Sequence, residues 1–100
     1  MKANKVAIII RDENNLWEGL RSCLGLGVEM IETHMFVLGR VWISEERENA
    51  YAENLEFLND LEGRAITDNE ENVARWSLFE HMSLDGIAGM LPEYDLIIPF

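Results

Sequence analysis

The chain is poor in cysteine, basic charge, histidine and long apolar runs, and each shortage removes a class of function. Cys23 is the only cysteine among 100 residues. A lone cysteine excludes an intramolecular disulfide and cannot by itself build a zinc site. An unpaired thiol fits a reducing compartment, so a cytoplasmic location is expected. Lys and Arg number 8 against 19 Asp and Glu, a formal net charge of −11. Phosphate binding needs clustered cations, so nucleic acid is excluded as a partner, and anionic membrane surfaces with it. The acidity reads first as a solvated surface and otherwise as a face for a basic partner. No stretch approaches the ~20 apolar residues that span a bilayer. The basic start Met1-Lys2-Ala3-Asn4-Lys5 is followed only by a short apolar run that Arg11 and Asp12 end, so no targeting segment is expected.

The signatures of catalysis and cofactor binding are also missing. His34 and His81 are the only histidines. A metal site would need them to converge with carboxylates such as Asp12, Asp68 or Asp85, and no helical i, i+4 pair supports that. Both are expected as ordinary surface or capping residues, with no metal. There is no serine nucleophile elbow. Glu45-Glu46 and Glu70-Glu71 read as helix starts, where acids suit the dipole, not as an acid/base dyad. Gly25-Leu26-Gly27 falls too far beyond the first strand to cradle a dinucleotide. No cofactor is expected.

What is present suits one domain over residues 1–100. Apolar residues make up 48% of the chain, enough for a core without disulfides or metal. Val6-Ala7-Ile8-Ile9-Ile10 predicts a strand buried on both faces, as in a parallel sheet. Asn14 or Asn15 caps a first helix over residues 16–31, with Trp17, Leu20, Leu24, Val28 and Ile31 spaced by three or four. Leu16, Cys23, Gly27 and Met30 widen that face, and its glycines allow close packing on the sheet or mark an earlier helix end. Cys23 therefore reads as a small, inert core residue.

Met35-Phe36-Val37-Leu38 predicts the second strand, and Val41-Trp42-Ile43 continues it or forms a loop. Ser44 caps a second helix striped by Tyr51, Leu55, Leu58 and Leu61, which Gly63 stops. Arg64-Ala65-Ile66-Thr67 is a third strand. A polar turn then opens a short helix through Val73, Trp76 and Phe79. Ser83 caps a last helix to Leu91, and residues 95–100 form the closing strand. Strands alternating with helices predict an α/β domain with a mainly parallel sheet.

Several phrases along nearly the whole chain resemble the DsrE/DsrF-like family of small sulfur-relay proteins. They are the Val6–Ile10 strand, Glu32-Thr33-His34-Met35-Phe36-Val37-Leu38-Gly39, Leu61-Glu62-Gly63-Arg64-Ala65-Ile66, Met82-Ser83-Leu84-Asp85-Gly86-Ile87-Ala88 and Tyr94-Asp95-Leu96-Ile97-Ile98-Pro99-Phe100. The resemblance implies a three-layer flavodoxin-like fold of about five strands flanked by helices. It also implies homo-oligomers or assemblies with related subunits. In sulfur-carrying members a cysteine lies just after the third strand. The matching positions here are Thr67, Asp68 and Asn69, and Cys23 does not inherit the role.

The resemblance thus points to a non-catalytic or accessory protein that acts by oligomerisation or partner binding in sulfur metabolism. The alternatives are a sulfur carrier or transferase using Cys23, and a small-ligand-binding α/β module unrelated to sulfur. Open α/β sheets bind ligands at the carboxyl ends of their strands. The cleft candidates are therefore Arg11, Asp12, Arg40, Thr67, Asp68 and Asn69. Trp42, Trp76 and the terminal Phe100 are the interface candidates, since tryptophan is enriched at binding hot spots and an apolar chain end is usually covered.

Overall fold

Val6, Ala7 and Ile8 are almost wholly buried, and they sit on an interior strand of a five-stranded sheet. The structure is a computed structural model that describes residues 4–40 and 45–100. The strands are β1 (Lys5–Ile10), β2 (Glu32–Val37), β3 (Arg64–Thr67), β4 (Glu80–His81) and β5 (Leu96–Pro99). They lie in the order β4-β3-β2-β1-β5, and every pairing is parallel. The helices are α1 (Leu16–Val28), α2 (Glu45–Asp60), α3 (Glu70–Arg75) and α4 (Leu84–Met90).

The alternation of side chains along each strand divides the core in two. Val6, Ile8 and Ile10 join Met35, Val37 and Ala65 under Leu20 and Cys23 of α1, Leu55 and Leu58 of α2, and Trp76 and Phe79 beyond α3. On the opposite face Ala7, Phe36 and Ile66 meet Ile87 of α4 and Tyr94. Helices therefore cover both faces, giving the three-layer flavodoxin-like arrangement. The steps from β1 to β4 run outward with their helices on one face. The return from β4 to β5 crosses the other face through α4, as right-handed crossovers require.

Close packing of α1 on the sheet depends on one glycine. A Cβ at Gly19 would lie 2.3 Å from Ile10 Cδ1 and 2.6 Å from its Cγ1. Ile10 is itself fully buried, so its side chain would have to shift within the core. The second-helix stripe is realised: Tyr51, Leu55 and Leu58 are buried and Leu61 packs beside them. Ser83 caps α4 by accepting the Gly86 N–H at 3.1 Å.

The structure corrects several boundaries. Helix α1 ends at Val28, not at residue 31. The amides of Met30 and Ile31 bond back to the carbonyls of Gly27 and Leu26, and Met30 takes a positive φ of 64°. This is a Schellman-type stop with methionine where glycine is usual. Val28 and Met30 consequently leave the buried face, at 59% and 94% exposure. Asn15 makes no capping hydrogen bond through its side chain. Asp12 instead accepts the Asn14 N–H at 2.9 Å, capping a 3-10 turn over Glu13–Asn15.

Strand β2 begins three residues earlier than expected, at Glu32. Helix α3 stops at Arg75, because Trp76 is extended. Trp76 and Phe79 reach the core from the following turn. The strand that the sequence did not announce is the two-residue β4, held to β3 partly by Arg64, whose Nε and Nη2 donate to Glu80 Oε2 at 2.9 and 2.7 Å. The expectations for residues 41–44, including the Trp42 interface, fall outside the described residues.

Candidate functional site

The helices following adjacent strands β3 and β4 lie on opposite faces of the sheet. In an open α/β sheet such a switch opens a crevice at the strands' carboxyl ends. Thr67, Asp68 and Asn69 stand at its edge, beside Met82, whose N–H donates to the Thr67 carbonyl at 2.9 Å.

Polar groups of the protein itself fill this position. Thr67 and Asn72 are 0% and 1% exposed. Asn72, on α3, donates from Nδ2 to Gly39 O at 2.8 Å and to Thr67 Oγ1 at 2.9 Å. The Thr67 hydroxyl also accepts the Asn69 N–H at 3.2 Å. Asp68 Oδ1 accepts the Gly39 N–H at 2.7 Å. Gly39 supplies both its N–H and its carbonyl to this clasp at a φ of +87°, a region that side-chain-bearing residues rarely occupy. Asn69 caps α3 by accepting the Glu71 N–H at 2.9 Å. Arg40 extends the arrangement outward, its Nε 2.8 Å from Glu71 Oε2.

Four of the six cleft candidates, Arg40, Thr67, Asp68 and Asn69, are thus gathered at the ends of β2 and β3. Arg11 and Asp12 are exposed at the end of β1, where Asp12 serves as a turn cap. No described hydrogen bond or ion pair joins these two to the other four. Neither Thr67 nor Asn69 carries an ionisable group. The one carboxylate, Asp68, is engaged by a backbone amide.

Cys23 lies on α1 within the main core at 0% exposure. Burial pushes its thiol up to about 12. A thiol held there stays protonated at neutral pH and has no route to a donor.

A second polar cluster, at the amino ends of the strands, escaped the sequence reading. His34 is 4% exposed, which overturns its expectation as a surface or capping residue. Its Nδ1 hydrogen-bonds the Tyr94 hydroxyl, and its Nε2 lies 3.2 Å from Glu32 Oε2. Lys5 reaches Glu32 at 3.5 Å and sits 5.0 Å from the centre of the Tyr94 ring. Burial lowers the His34 pKa, aided by Arg64 and Lys5 and opposed by Glu32 and Glu80. Burial raises the Tyr94 hydroxyl to about 12. Both groups are therefore neutral at pH 7, and the cluster joins β2 to the segment entering β5. Glu32 and His34 share one face of β2 by their i, i+2 spacing, a signal visible in sequence. Tyr94 lies 60 residues away and left none.

Of the interface candidates within the described residues, Trp76 is 6% exposed in the main core. Phe100 is half-buried against the same core and donates its N–H to Ile9 O at 2.8 Å. Among the described residues no three or more His, Cys, Asp or Glu side chains gather as metal ligands. No described helix is long and apolar enough to cross a membrane. Comparison with protein-family models, curated proteins and solved structures gives no match.

Proposed function

We propose that the chain is a non-catalytic, DsrE/DsrF-like accessory protein, acting by oligomerisation or partner binding in sulfur metabolism. The observation that carries this reading is the closed strand end. Where a sulfur-carrying member would expose a cysteine, Thr67 is buried and bonded to Asn72. The only thiol in the chain is sealed in the core beneath α1. A sulfur relay through this chain would have to unfold part of the helix first.

The assembly half of the proposal draws on the sheet edge at β5. Among the described residues this strand pairs with β1 alone, so its outer side carries backbone groups that no described strand pairs. Leu96 and Ile97 on it are 47% and 41% exposed. An apolar edge strand of this kind is a template for another chain, and a lysine placed on it blunts pairing. Light scattering tests the idea. The expected result is a particle larger than the 11.5 kDa chain, or one that becomes larger with a related subunit, and its loss in Ile97→Lys. A monomer across a wide concentration range, unchanged by any related subunit, would refute it.

A further inference from the structure

Apart from the closed strand end, the same end of the sheet carries an open cleft. It has a volume of about 300 Å3, and the described residues that line it are Trp17, Arg47, Ala50 and Tyr51. Trp17 is the second residue of α1, and the other three lie in the first two turns of α2. Because α1 and α2 follow β1 and β2 in a parallel sheet, their amino ends stand over the strands' carboxyl ends. This is the same end of the sheet as the β3–β4 switch, on the face that α1 and α2 cover.

The lining has the chemistry of a small-molecule site. Trp17 and Tyr51 meet edge to face, with ring centres 5.1 Å apart and planes at 74°, and form an angled aromatic wall. Arg47 is exposed and makes no ion pair with any described residue. Its neighbour Glu48 is taken by Arg75 at 3.3 Å. In a chain of net charge −11, an arginine that pairs with no described carboxylate, beside two aromatic rings, has charge to offer an anion. The volume stands at the small end of ligand pockets, which run from about 300 to 1,000 Å3.

We propose that this cleft binds a small aromatic carboxylate. Its flat ring packs on Trp17 and Tyr51, and its carboxylate is held by the fork of the Arg47 guanidinium. A multiply charged phosphate is disfavoured, because one arginine must work against an acidic surface and no glycine-rich loop supplies amides.

The test uses the full chain labelled with nitrogen-15. The indole N–H signal of Trp17, identified by its loss in Trp17→Phe, is followed while benzoate, neutral benzamide or inorganic phosphate is added. The expected result is a saturable shift with benzoate at a Kd of ~1 mM or tighter. Binding should weaken at least about tenfold for benzamide on wild type and for benzoate on Arg47→Gln, with no shift from phosphate. Arg47 is exposed, so Arg47→Gln should fold normally, and the benzamide comparison on wild type stands without it. No saturable benzoate shift would overturn the proposal. So would equal binding of benzoate and benzamide, indifference to Arg47→Gln, or a phosphate shift matching that of benzoate.

Discussion

Replacing Asn72 with alanine should destabilise the fold by about 2–3 kcal/mol, although the residue belongs to no apolar cluster. From a site that is 1% exposed, its amide Nδ2 donates to two described acceptors, Gly39 O and Thr67 Oγ1. Each such bond contributes about 0.5–1.5 kcal/mol net, and an acceptor left bare in a buried site costs about 1–3 kcal/mol. The two acceptors differ. Thr67 Oγ1 would keep the Asn69 N–H, whereas Gly39 O would lose its bond from Asn72. The loss therefore lies between that of the bonds alone and that of two bare acceptors. Urea denaturation should show the midpoint falling at constant m-value, and the melting temperature should drop by about 10–20 °C. Thr67→Val removes one of the same bonds from its other end. The double variant should accordingly be about 1 kcal/mol less destabilised than the sum of the singles. A loss below about 0.5 kcal/mol in Asn72→Ala, or strict additivity with Thr67→Val, would refute the clasp as a closure of the strand end.

Gly19→Ala should destabilise by about 1–3 kcal/mol despite alanine's better helix propensity, because the new Cβ meets the buried Ile10 side chain; an increase in the urea midpoint would contradict the packing. Met30→Gly should stabilise by about 0.5–1 kcal/mol, since glycine takes the positive φ without strain and a 94% exposed side chain loses no packing; a lower midpoint would count against the helix stop. His34 has a folded pKa below its ordinary value of 6.5, so the unfolded chain takes up the proton first. Its contribution is therefore full above pH 6.5 and lost as pH falls through the folded value. Wild type should lose more stability than His34→Asn on acidification over that window, and parallel profiles would refute the assignment.

Legibility in the sequence followed how local each signal was. Strand β3 and the α2 stripe rest on adjacent or helically spaced residues, and both were found. The end of α1 was missed because a methionine occupies the position that glycine usually marks. Strand β4 has two exposed residues and no apolar run to announce it. Trp76 and Phe79 lie three apart, as on a helix face, yet a turn brings them to the core. The start of β2 was hidden by polar residues whose burial depends on a distant partner, Tyr94.

The strand-end position was found from the order of elements together with the family resemblance. Its closure was not, because Asn72 meets Gly39 across 33 residues. The aromatic cleft was missed for the same reason: Trp17 and Tyr51 sit on different helices and meet only in the packed fold.

The central claim is that this chain carries no sulfur of its own. The most direct measurement is the intact mass of the native protein after exposure to inorganic polysulfide, whose sulfane sulfur passes to a thiolate as the shortened polysulfide leaves, repeated in urea. Cys23 at 0% exposure predicts no gain in the native state and the gain of one sulfur atom once the chain is unfolded. A native-state gain that disappears in Cys23→Ser would contradict the account.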